Sequence, residues 1–159
     1  MGILKKIVAA IALAFVCFST PPALAQSGQT LTNDSLKTML DGLGYEPKAL
    51  SKGYLLAIKQ DTWTLNMQLV LSSDGTKLGM NANLGMVDLD AASASTWLNL
   101  LESNGDIDPS AFYVDRDQKK LYLHRSLDNR DVTAAFLRGQ IEAFGNNIRN
   151  TEAIWKFTK

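Results

Sequence analysis

From Trp63 to Ser72 the large apolar side chains fall on every second residue: Trp63, Leu65, Met67, Leu69 and Leu71 alternate with Thr64, Asn66, Gln68, Val70 and Ser72. Successive side chains of a strand point to opposite faces, so this period predicts a half-buried strand. Asp74-Gly75 comes next, the dipeptide suited to a type I′ hairpin because both central residues take φ > 0. A two-residue turn there pairs Ser73 with Thr76. It then sets Leu71 against Leu78, Leu69 against Met80, Met67 against Ala82 and Leu65 against Leu84. Every one of those four pairs is apolar, and a slip of one residue would send the whole set to the other face. A second tight turn, at Gln60-Asp61, sets Ile58 against Trp63, Leu56 against Leu65 and Tyr54 against Met67. The reading is a three-stranded antiparallel meander with one apolar face and one wet face, the latter carrying Thr64, Asn66, Gln68, Lys77, Asn81 and Asn83.

Helices flank the meander. Thr32 or Asn33 can cap a first helix whose stripe is Leu36, Met39, Leu40 and Leu43; Gly42 and Gly44 end it, and Pro47 keeps the next segment out of helix. A second helix is expected from Asp88 or Asp90 to Asn104-Gly105, burying Ala94, Trp97, Leu98 and Leu101. Pro109 opens a second hairpin. A turn centred on Asp117-Gln118 pairs Phe112 with Leu123, Tyr113 with Tyr122, Val114 with Leu121 and Asp115 with Lys120. The last helix is expected from Asp131, as cap, to about Asn147, with Phe136, Leu137, Ile141, Phe144 and Ile148 inward. Ile154, Trp155 and Phe157 should fold back on the core. The fold class is α+β, in the order α-β-β-β-α-β-β-α.

Residues 1–25 read as an export signal: Lys5 and Lys6, the apolar run Ile7 to Phe18, then Pro21-Pro22 and Ala23-Leu24-Ala25. The run is too short for a membrane span, which takes about 20 apolar residues. Cleavage after Ala25 leaves a periplasmic or secreted chain of about 134 residues, ordinary for one domain with its own core. Residues 26–30 form a small polar lead, and residues 31–159 the single α+β domain. The one cysteine, Cys17, leaves with the signal, so stability rests on packing rather than disulfides. Acidic and basic residues number 16 each in the whole chain, and the signal takes two lysines. The slight acidic excess that remains argues against nucleic acid and against an anionic membrane surface.

Chemistry-bearing patterns are few. His124 and Ser126 share a strand face two residues apart, too far for direct contact, and no Gly-x-Ser-x-Gly elbow accompanies them. A structural zinc site is excluded by one histidine and no mature cysteine. The acidic pairs Asp88/Asp90, Asp106/Asp108 and Asp115/Asp117 lack the further ligands of a calcium loop and fit caps and turns instead. No phosphate loop or dinucleotide pattern is present. Trp63, Trp97 and Trp155, with Met39, Met67 and Met80, fall on apolar faces as core. The sequence thus assigns no catalytic, metal or cofactor-binding residue, and no binding residue either.

The element order, with Trp97-Leu98-Asn99 through Ser103-Asn104, Ala111-Phe112-Tyr113-Val114-Asp115, Leu121-Tyr122-Leu123, Leu127, Asp131-Val132-Thr133, Ile141 to Phe144 and Trp155, resembles the type III secretion chaperone-like superfamily. Within it the likeness is to bacterial sensory transduction regulator-like (YbjN-type) proteins, over most of residues 31–158. The resemblance implies a non-enzymatic protein that engages a protein partner or forms a homodimer, as secretion chaperones hold client segments along apolar grooves. Those chaperones act in the cytosol, whereas an export signal implies a periplasmic module on the same fold. The alternatives are a periplasmic carrier of a small apolar ligand, and a hydrolase with dispersed carboxylates.

Overall fold

The computed structural model describes residues 28–60 and 63–158; the export signal read at residues 1–25 lies outside them. Among the described residues ten elements succeed one another: α1 (Asn33–Gly42), β1 (Lys48–Ala49), β2 (Tyr54–Gln60), β3 (Trp63–Leu71), β4 (Lys77–Met86), α2 (Ala94–Asp106), β5 (Ser110–Asp115), β6 (Lys120–Asp128), α3 (Ala134–Asn150) and the single turn α4 (Glu152–Trp155). The fold is α+β, as expected, with the short β1 and α4 added.

Every strand pairing is antiparallel and the sheet runs β1-β2-β3-β4-β6-β5. Meander and second hairpin are therefore one six-stranded sheet, sewn together by β4 against β6 from Lys77↔Asp128 to Met86↔Lys120. The β3–β4 register contains Leu71↔Leu78 and Leu69↔Met80 as the alternation demands, and the paired ladder stops at Gln68↔Asn81. The expected pairs Met67–Ala82 and Leu65–Leu84 lie beyond it. The connecting turn differs from type I′. Only Gly75 has positive φ there, Gly75 N–H bonds Ser72 C=O (2.9 Å) and Ser72 N–H bonds Lys77 C=O (2.9 Å). The loop is four residues, not two, and the register survives because both strands lengthen it equally. Asp74 explains the choice: its carboxylate takes Thr76 N–H (3.1 Å) and the hydroxyls of Ser72 and Thr76, which holds its pKa at about 2.

The first hairpin is corrected by two residues. Gln60 pairs with Trp63, Ile58 with Leu65, Leu56 with Met67 and Tyr54 with Leu69, so the ladder is centred one residue later than a Gln60-Asp61 turn would set it. A shift of two leaves every side chain on its face, which is why the buried set is unaffected. The β5–β6 pairs are those expected.

Leu56, Met67, Leu69, Leu78, Met80, Leu121 and Leu123 project from the sheet onto Leu36 and Leu40 of α1 and Leu137, Ile141, Phe144 and Ile148 of α3, forming one core. Each such side chain, withdrawn from water, stabilises the fold by about 1.5–3 kcal/mol. Two caps differ from expectation. Thr133, not Asp131, caps α3 through Phe136 N–H (3.1 Å), because Asp131 sits at φ +54 and turns its carboxylate to Gly28 N–H. Ser93, not Asp88 or Asp90, caps α2; Asp88 closes its own preceding turn on Asp90 and Ala91 N–H. Residues 28–31 lie along Asn129–Asp131 through a Thr30↔Arg130 bridge and the fully buried Asn129 amide. At the other end Trp155 and Ile154 return to the core, and Phe157 packs edge-on to Trp97 at 6.1 Å.

Candidate functional site

Helix α2 is rotated relative to the sequence expectation. Leu100, Ser103 and Ile107 point inward with Trp97 half-buried, whereas Leu98 is 57% and Leu101 66% exposed, and Ala94 is exposed too. Of the expected stripe only Trp97 turns inward. Apolar residues spread widely around the helix, so periodicity alone could not say which part meets the sheet. What decides it is the edge strand. Asn104 Oδ1 accepts Phe112 N–H (2.7 Å) and Ile107 C=O accepts Ser110 N–H (2.8 Å). Those bonds lock one side of α2 to β5, the last strand of the sheet. Phe136, expected inward on α3, is likewise 45% exposed; its place in the first turn, close after the Thr133 cap, lifts it off the sheet.

The consequence is an open apolar groove of about 220 Å³. Trp97, Leu100 and Leu101 of α2 form one wall, Phe112 and Val114 of β5 the other, with Leu121 of β6 below. Tyr113, 44% exposed, and Asn104 also line it.

The opposite, polar face of the sheet is built as expected and holds the one histidine. His124 Nδ1 donates to Asn81 Oδ1 (2.8 Å), and its ring meets Tyr113 edge-on at 6.2 Å; Tyr113 and Tyr122 stack at 5.2 Å. Burial pulls the His124 pKa below its usual value, partly offset by a backbone hydrogen bond at Met80. Ser126 lies exposed on the same face, and His124 has its bond to Asn81 rather than to that hydroxyl. Among the described residues no group of three or more His, Cys, Asp or Glu side chains could hold a metal. Asp88, Asp106 and Asp115 stand apart: Asp88 closes a turn, and Asp115 holds Gln118 N–H and its side-chain amide.

Sequence reasoning missed one buried charge. Arg125, 3% exposed, lies on the core side of β6, with Nε on Ser110 Oγ (2.9 Å), Nη1 on Gln140 Oε1 (2.9 Å) and its guanidinium 5.9 Å from the Phe144 ring centre. It joins β5, β6 and α3. Its alternation with Leu121, Leu123 and Leu127 marked the position as inward; its charge masked the signal. Trp63 has no described side chain. Among the described residues no helix is long and apolar enough to cross a membrane.

No protein-family model and no curated protein matches the chain. Solved structures do. YbjN from E. coli superposes with a TM-score of 0.61 at 16% identity, over 82% of this chain and 93% of that one. The ExsC–ExsE complex gives 0.55 at 15% identity, covering 76% and 90%. The HopA1–SchA chaperone–effector complex gives 0.54 at 14%, covering 74% and 93%. The fold is thus the one shared by YbjN and these two complexes, as the sequence resemblance implied.

Proposed function

We propose that this chain is an exported, non-enzymatic module that engages a protein partner through the face formed by α2 and β5. The observation that carries the reading is Leu101, which lines the apolar groove while more than half exposed, with Leu98 about one turn earlier on the same helix also more than half exposed. Removing such residues from water on binding supplies the driving force. Two routes are open to a partner, strand addition and side-chain docking. On β5 the N–H groups of Ser110 and Phe112 are already taken by Ile107 and Asn104, so docking into the groove is favoured. A carrier of small apolar ligands is less well served, since pockets for drug-sized ligands measure about 300–1,000 Å³; this groove is smaller and open, and the larger hollow of about 830 Å³ beside Thr30, Lys52 and Ser72 is lined largely by polar residues. Fold likeness to a chaperone–effector complex supports the same reading.

A photo-crosslinking residue placed at Leu98 or Leu101 in cells should trap one reproducible protein, while the same residue at the exposed Lys59 should not. Equal trapping at all three sites would refute the assignment of the face. Cell fractionation with N-terminal sequencing tests export: the mature chain should start at Gln26 outside the cytosol. A cytosolic chain still starting at Met1 refutes that half of the reading.

A further inference from the structure

We draw no further inference here: the strongest candidate, the apolar groove between α2 and β5 lined by Trp97, Leu101 and Val114, belongs to the site already described, and nothing in the structure shows what covers it.

Discussion

Asn129 should be the single polar residue on which the most structure depends. Its side chain is fully buried and spans two segments distant in sequence. Oδ1 accepts Leu31 N–H (3.2 Å), and Nδ2 donates to Leu31 C=O (3.0 Å) and Gly75 C=O (2.8 Å); its own N–H reaches Thr76 C=O (2.9 Å). One amide thus pins the start of the domain to the β3–β4 turn. In Asn129→Ala three backbone groups lose their partner. At about 0.5–1.5 kcal/mol net for each hydrogen bond, and with Leu31 and Gly75 partly open to water, the loss should be about 2–4 kcal/mol. That is a large part of the 5–15 kcal/mol typical of a domain. Asn129→Asp adds a sign test. A carboxylate keeps the acceptor for Leu31 N–H but faces two carbonyl oxygens, so its pKa must rise on folding. A raised folded pKa gives stability that is present below the unfolded value and lost as pH rises. The Asp variant should therefore be worse than Ala at neutral pH and recover part of its deficit towards about pH 5, relative to wild type. Urea unfolding monitored by circular dichroism, with m unchanged, reads both. An Ala variant within about 0.5 kcal/mol of wild type, or an Asp deficit that ignores pH, would refute the reasoning.

Gly53 has φ +74, and a Cβ there would stand 1.9 Å from the Leu69 carbonyl oxygen; Gly53→Ala should cost about 2–4 kcal/mol, because a strand backbone cannot withdraw, as thermal or urea unfolding will show. Leu100→Ala should cost about 2–5 kcal/mol, while Leu98→Ala and Leu101→Ala should stay within about 0.5 kcal/mol; a Leu101 variant as unstable as the Leu100 one would mean the face is not open. His124 has a pKa lowered chiefly by burial, so its contribution is present above the unfolded value and lost as pH falls through the folded one. Wild type should accordingly lose urea stability faster than His124→Asn between about pH 7 and about pH 5, and parallel curves would dismiss the histidine.

Most of the fold was legible because its sheet repeats a two-residue period with apolar partners at matched positions. Leu69↔Met80 and Tyr113↔Tyr122 come from that alone. The two-residue error in the first hairpin was invisible for the same reason, since Tyr54, Leu56 and Ile58 meet apolar partners in either register. The pairing of β4 with β6 could not be read: it joins strands across a helix and a hairpin, and no turn chemistry announces it. Helix starts were misplaced where several oxygen-bearing residues compete. Asp88, Asp90 and Ser93 are all acceptable caps, and the winner is set by where α2 meets β5. Arg125 was overlooked because a lone charge between Leu123 and Leu127 gives no sign of the neutral partners and the Phe144 ring that accept it inside.

The site was missed through the same property that makes it a site. At about 100° per residue, Leu101 and Ala94 lie about a third of a turn from Leu100, and Leu98 nearly half a turn. With Trp97 between them, the set reads as one broad apolar arc. A helix needing only to close a core would leave charge on the outer part of that arc; α2 leaves two leucines there and keeps its carboxylates to one side. Stability does not account for Leu98 and Leu101, because Leu100, Ser103 and Ile107 already complete the inward contact. Two groups of residues on one helix therefore differ in what they do for folding, and the proposed docking reading gives the outer one a use. Substitutions in the outer group should change association without moving the unfolding midpoint, and those in the inner group should move the midpoint first.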